Sequence, residues 1–286
     1  GDEGFPPLWI TSAPLQGGRS LSLDASVSSQ YVSALMMIAP LLQGGLTLDL
    51  EERIVSAAYI RMTAGMMRLF GVDVRLEGEK IIIPEKGYIP VSLRVESDWT
   101  AASYFYEMLS IVGQGEIFIS DLKKDSLQGD ALQYRLWEQL GVQTEWRESG
   151  VLLRVAGENT GLFEADFTEM PDLALTFIVT CCLKDIPFHI RGLETLYVKE
   201  CDRVAASIRE LHKLGYDLEV PVHGELSWNR ERNTLISLEI DTYQDHRMAM
   251  AFAPVGLKLP GLVIRNAGVV TKSFPTFWEQ LDKLLI

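Results

Sequence analysis

Apolar and polar positions along this chain switch repeatedly between two periods. Three amphipathic runs end in Leu or Phe followed by glycine: RLFGVDVRL at Gly71, EQLGVQTEW at Gly141 and HKLGYDLEV at Gly215. Glycine takes the left-handed backbone conformation that stops a helix. Each stop leads into alternating apolar residues, the period of a half-buried strand. A turn and a second alternating run follow the first two, EGEKIIIP and ESGVLLRV, while the third runs into a longer excursion, VPVHGELSWNRERNTLISLEI. An earlier helical run precedes each. Paired helices are therefore expected at 29–42 with 54–70, 98–112 with 129–140, 171–183 with 200–214, and 246–258 with 275–285. A helix–strand–helix–strand–strand unit recurring about every seventy residues points to duplicated supersecondary structure. Leu-Gly joins between helix and strand are common in α/β proteins, but three at nearly equal spacing favour duplication. The segment YVSALMMIAPLL at 31–42 is apolar nearly all round, the pattern of a helix buried on every side; without neighbouring units it is expected to leave a large exposed apolar patch and to self-associate.

Composition narrows the class. The chain has 286 residues, 47% hydrophobic and 23% charged, enough for one large or two medium domains with a sizeable core. Its 39 acidic and 26 basic side chains give a net charge of −13, which argues against general nucleic-acid or membrane-surface binding. Cys181, Cys182 and Cys201 show no CxxC spacing and an odd count, so reduced thiols in a cytoplasmic protein are expected. The four histidines are scattered and predict no zinc site. No apolar run reaches membrane-spanning length. The first residue is Gly1, and the opening GDEGFPPLWI reads as mid-strand, so a piece of a longer chain or a processed chain is expected.

Against this acidic background, cations concentrate in three short segments. In LETLYVKECDR at 193–203, Lys199 and Arg203 stand four apart at an expected helix start and Glu200 lies between them. A helix N-terminus favours anions. TYQDHRMAM at 242–250 adds His246 and Arg247, and TKSFP at 271–275 adds Lys272. The set predicts a site for a small, highly charged anion, with a carboxylate kept for proton transfer. Several members have plainer readings. Ser28 could be a helix cap, Asp172 a favourable first-turn acid, Glu200 an exposed partner of Arg203, Lys272 a solvated charge and His246 a core histidine.

These segments also carry a resemblance. VSSQYVSALMMIAPLL at 27–42, IVSAAY at 54–59, SDWTAASYF at 97–105, PDLALT at 171–176, LETLYVKECDR, TYQDHRMAM and VVTKSFPTFWEQL at 269–281 resemble, in order, the 3-phosphoshikimate 1-carboxyvinyltransferases (5-enolpyruvylshikimate-3-phosphate synthases). The resemblance implies a two-domain enolpyruvyl transferase fold, an inside-out α/β barrel of six βαβαββ units. Residues 1–96 would be the remainder of the N-terminal domain, the end of its second unit plus its third, and 97–286 the C-terminal domain. The join falls where a strand gives way to Asp98 as helix N-cap.

The implied reaction moves the enolpyruvyl group of phosphoenolpyruvate to the 5-hydroxyl of shikimate 3-phosphate and releases phosphate. It needs cations for two phosphates and two carboxylates, a base for the hydroxyl and an acid for the methylene carbon. By resemblance, Asp172 and Glu200 are catalytic: Asp172 accepts the hydroxyl proton and Glu200 exchanges a proton with the methylene carbon. Ser28, Ser29, Gln30, Ser56, Tyr59, Asp172, Thr195 and Lys199 would bind shikimate 3-phosphate. Gln30, Arg203, Arg247 and Lys272 would bind phosphoenolpyruvate, since Arg suits paired hydrogen bonds to carboxylate and phosphate. His246 would support Arg247. No cofactor, metal, nucleic acid or membrane is implied, and the complete protein is expected to be a cytoplasmic monomer.

The chain also departs from the family pattern. Thr195 stands where Asn is common, and Asn266-Ala267 where Asp-Pro is common. The lysine, serine and arginine set of the family's first unit has no counterpart here, so this chain on its own is expected to be inactive. Two other readings compete: a UDP-N-acetylglucosamine enolpyruvyl transferase, or a non-catalytic fragment or subunit completed by another polypeptide.

Overall fold

The structure is a computed structural model, and it describes residues 9, 15–24, 29–51, 57–157 and 161–284. The expected positions Ser28 and Ser56, and most of the opening segment, lie outside the described residues. The chain forms two compact units, one from the described residues of Gly1–Ile54 and Tyr59–Ser92, the other from those of Val55–Ala58 and Leu93–Ile286.

In the first unit, strand β1 (Arg19–Asp24) is followed by helix α1 (Ser29–Ile38), β2 (Leu46–Glu51), α2 (Ala57–Leu69) and a hairpin of β3 (Arg75–Glu77) and β4 (Lys80–Ile83). This is one βαβαββ repeat. Strands β1 and β2 pair in parallel, the hairpin joins antiparallel, and the sheet order is β1-β2-β4-β3. Alternation in LTLDLE sends Leu46, Leu48 and Leu50 to the buried face, where they meet Val32 and Met36 of α1 and Ile60, Ala64 and Met67 of α2. As expected of 31–42 without neighbouring units, α1 is covered on one side only. Only Ser29, Val32 and Met36 are buried, while Tyr31 and Met37 are exposed, as is Leu41 in the 3₁₀ turn that continues the helix. A single sheet covers one face of a helix and no more.

The second unit opens with α3 (Trp99–Val112), capped by Asp98, whose carboxylate accepts from the Thr100 amide at 2.8 Å. Strand β5 (Glu116–Ser120), helix α4 (Tyr134–Gln139) and a hairpin of β6 (Val142–Arg147) and β7 (Gly150–Val155) complete an antiparallel sheet of order β5-β7-β6. Next come β8 (Phe163–Asp166), α5 (Ala174–Leu183), β9 (Phe188–Arg191), α6 (Arg203–Lys213) and β10 (Glu225–Trp228), with β8 parallel and β10 antiparallel to β9. Finally, β11 (Glu239–Ile240), α7 (His246–Phe252), β12 (Val263–Ile264) and α8 (Phe277–Leu284) form a last unit, with β11 and β12 parallel.

The glycine stops are where the pattern put them: Gly71, Gly141 and Gly215 have φ of +86°, +86° and +97°. Two other expectations change. Alternation after Gly215 gives two isolated bridges, Tyr216 to Arg232 and Glu219 to Ser227, instead of a strand, because the partner segment is broken by Arg230 at φ +62°. The helix expected from 200 begins at Arg203, because the Asp202 carboxylate caps it by accepting from the Ala205 amide at 2.9 Å.

The core of the second unit determines where the site lies. Helix α5 is buried at every position from Ala174 to Cys182 and packs against α3 and α7. Its Phe177 ring stacks on Trp137 at 4.1 Å and lies 5.8 Å from Phe163. A helix without a polar face must be surrounded, so other helices crowd it. The polar residues that introduce α5, α6 and α7 are thereby brought to one place.

Candidate active site

Asp172 sits in the 3₁₀ turn Pro171–Leu173 just before α5. Arg203 is the first residue of α6, and Asp245 caps α7 by accepting from the Arg247 amide at 2.8 Å. Arg203 is almost wholly buried, with 1% of its surface exposed, and its fork serves three carboxylates. Nε donates to Asp245 at 2.7 Å, Nη1 to Asp172 at 2.8 Å, and Nη2 to Glu200 at 2.8 Å. The Arg247 Nη2 group donates to the other Asp172 oxygen at 3.0 Å. Lys199 Nζ is 3.6 Å from Asp172, and Lys272 contacts Glu200. Arg203 and Arg247 therefore point to the same side and converge on one carboxylate.

The convergence does not come from a shared helix face. Lys199 is extended at the end of the 3₁₀ turn Glu194–Val198, and Glu200 precedes α6. Both reach the site from the connection between turn and helix. Thr195 lies in that turn with its hydroxyl buried and without a hydrogen-bond partner, outside the ion-pair network. His246 is buried, its Nδ1 3.9 Å from Glu200 and 3.6 Å from Asp245 without a hydrogen bond. Of the positions on the first unit, Ser29 is buried at the start of α1, Gln30 is exposed next to it, and Tyr59 is on α2 with 38% exposure.

Electrostatics resolve a question that the sequence leaves open. Burial raises the Asp172 pKa, but Arg247, Lys199 and Arg203 lower it more, to about 2. For Glu200 burial also pulls upward, and the Lys272 contact and Arg203 overcome it, again to about 2. Neighbouring cations thus win over desolvation at both carboxylates. His246 is pushed below its ordinary value by burial and by Arg247, so its imidazole is neutral at pH 7. Among the described residues no group of three His, Cys, Asp or Glu side chains is arranged to hold a metal ion.

Three site residues escaped the reading of the sequence. Asp245 supplies Arg203 with a carboxylate of zero exposure, and its signal was the acid directly before an expected helix. Tyr104 and Asp130, both buried, act on the charge of Arg247 electrostatically. Neither carries a local signal, since one is an aromatic in an apolar run and the other an acid in a turn.

Four cations and three carboxylates in one partly enclosed network can bind anions and exchange protons. Comparison with known proteins identifies the family that this chain resembles in sequence. The EPSP synthase (3-phosphoshikimate 1-carboxyvinyltransferase) family model matches residues 1–281. The 3-phosphoshikimate 1-carboxyvinyltransferase of Bacteroides fragilis strain YCH46 is 42% identical over 284 residues, covering 99% of this chain and 69% of the relative. That of Syntrophobacter fumaroxidans is 37% identical over 285 residues, covering 99% and 66%. The solved EPSP synthase of Acinetobacter baumannii superposes with a TM-score of 0.75 at 22% identity, covering 99% of this chain and 66% of that one. The enolpyruvyl transferase NikO of Streptomyces tendae gives 0.63 at 16% identity, covering 96% and 65%. The mixed α/β repeats are thus those of the enolpyruvyl transferase fold, and the chain spans about two thirds of the length of these relatives. By sequence and by fold, this chain belongs to the 3-phosphoshikimate 1-carboxyvinyltransferase family.

Proposed function

We propose that the protein containing this chain transfers the enolpyruvyl group of phosphoenolpyruvate to the 5-hydroxyl of shikimate 3-phosphate, releasing phosphate. The observation that carries this reading is the convergence of Arg203, Arg247 and Lys199 on Asp172, with Glu200 and Lys272 alongside. In this reading Arg203, Arg247 and Lys272 hold phosphoenolpyruvate. Lys199, Asp172 and Thr195 meet the acceptor; the family resemblance assigns Ser28, Ser29, Gln30, Ser56 and Tyr59 to acceptor binding as well, and Gln30 also to phosphoenolpyruvate binding. Residues 1–96 and 97–286 are the two domains of this reading, and the protein is cytoplasmic and monomeric.

A pKa of about 2 makes Asp172 a weak base while three cations neutralise it. Substrate anions that occupy Arg247 and Lys199 weaken that neutralisation and raise the proton affinity of Asp172 where the hydroxyl arrives. Oxygen–carbon bond formation then proceeds as Asp172 takes the hydroxyl proton and the methylene carbon gains one. Glu200, in contact with Lys272, is the group that gives the carbon that proton. Expulsion of phosphate returns the methyl proton to the Glu200–Lys272 pair and restores the double bond. His246, neutral and beside both Glu200 and Arg247, supports their placement. Acceptor-dependent phosphate release from phosphoenolpyruvate by the full-length protein tests the reading. Release with shikimate 3-phosphate is expected; release with UDP-N-acetylglucosamine instead would replace it.

A further inference from the structure

The geometry points to Glu210 as a positioning residue that, through Tyr243, holds the turn before α7 in the shape that aims Asp245 and Arg247 at the site. The inference rests on the assignment of Arg247 to phosphoenolpyruvate made above. Glu210 and Arg203 are seven apart on α6, about two turns and roughly 10 Å along one face, and both are buried. Each grips the same short segment. Arg203 donates to Asp245 at 2.7 Å. The Glu210 carboxylate accepts from the Tyr243 hydroxyl at 2.6 Å through one oxygen and from the Asp241 amide at 3.1 Å through the other. Lys213 contacts Glu210 from the next turn of α6.

The conformation held is an unfavourable one. Tyr243 and Gln244 are consecutive non-glycine residues in the left-handed region, with φ of +52° and +58°. Side chains with a Cβ seldom adopt that conformation, and two in a row persist only where the surroundings impose it. Within the turn the Asp245 amide donates to the Thr242 carbonyl at 2.8 Å. The Thr242 hydroxyl is buried without a hydrogen-bond partner, so that side chain adds no tether, and Gln244 is exposed. The tie on the strained pair is therefore the bond from Tyr243 to Glu210. Directly after the pair come Asp245, which caps α7 and takes Arg203, and Arg247, which donates to Asp172. A relaxation of φ at 243 or 244 swings both away from their partners, and a binding constellation tolerates little misplacement.

Tyr243→Phe keeps the ring and removes the tie. In the full-length protein it should raise KM for phosphoenolpyruvate about tenfold, the worth of a hydrogen bond to a charged group, and leave KM for shikimate 3-phosphate within about twofold. Glycine enters the left-handed region without steric penalty, so the double variant Tyr243→Phe/Gln244→Gly should bring KM for phosphoenolpyruvate back to within about threefold of wild type. A bond that served the fold alone would not separate the two KM values. A second readout is independent of turnover. Hydrogen exchange of the Asp245 and Arg247 amides should be about tenfold faster in Tyr243→Phe and slow again in the double variant. Equal changes in the two KM values, a double variant no better than Tyr243→Phe, or amides that exchange no faster than in wild type would overturn the proposal. If the wild-type protein releases no phosphate with shikimate 3-phosphate, the functional reading fails, and the exchange of the two amides still decides the positioning role.

Discussion

Replacing Arg203 by methionine gives the sharpest test of the network as a structural unit. Arg203 contacts Asp245, which has no solvent exposure, and Asp172, whose side chain is 13% exposed. Methionine fills a similar volume but leaves both carboxylates without that partner. Removing one member of a buried ion pair costs about 3–5 kcal/mol, mostly from the charge left behind. For a unit of this size each kcal/mol corresponds to roughly 2–4 °C in Tm, so a drop of about 6–20 °C is expected. Trp99, Trp137 and Trp228 are buried in the same unit, so tryptophan fluorescence during urea or thermal unfolding reports on it directly. The double variant Arg203→Met/Asp245→Asn removes the orphaned charge and should recover part of the loss. A loss below about 1 kcal/mol, typical of a solvated surface pair, would refute the reasoning. So would a double variant no more stable than Arg203→Met.

Other outcomes follow from the same network and core. The folded-state pKa of Asp172 is depressed from 3.8 to about 2, so its stabilisation is present above 3.8 and lost as pH falls toward 2. Asp172→Asn should therefore cost about 2 kcal/mol at neutral pH and little below pH 2, measured by urea unfolding across that range. Glu107 on α3 is fully buried, neither carboxylate oxygen has a partner, and its pKa is raised well above 4.5 by burial. The unfolded chain releases that proton more readily, so the native state is penalised as pH rises above 4.5, and Glu107→Met should raise Tm more at pH 8 than at pH 4. Lys272→Met should raise the Glu200 pKa from about 2 toward its ordinary value, read by carboxylate nuclear magnetic resonance titration.

The parts of the molecule that were legible in the sequence are those fixed by local physics. Glycine stops at 71, 141 and 215 and the Asp98 cap needed only neighbouring residues. The start of α6 was misplaced because Lys199 and Glu200 are good helix formers, while the capping carboxylate of Asp202 decides the boundary. Helix α1 reads as buried all round, yet Tyr31, Met37 and Leu41 are exposed in this chain, since packing partners are not encoded in a helix's own pattern. The cations of the site were visible as a concentration against net acidity. Asp172 was named through the family resemblance, but its pairing with Arg203, like that of Asp245, was not visible, because the two lie 31 and 42 residues from Arg203 and meet it only through the packing of α5, α6 and α7. Tyr104 looked like core, and it is core.

The central claim is that the cations converge on Asp172 so that this carboxylate can act on the acceptor hydroxyl. Asp172→Ala in the full-length protein tests it most directly, with turnover at saturating substrates and phosphoenolpyruvate affinity measured on the same preparation. A general base typically contributes on the order of 10²–10⁴-fold, so turnover should fall by that factor while phosphoenolpyruvate affinity changes far less. Unaltered turnover at saturation, or a loss confined to phosphoenolpyruvate affinity, would contradict the account.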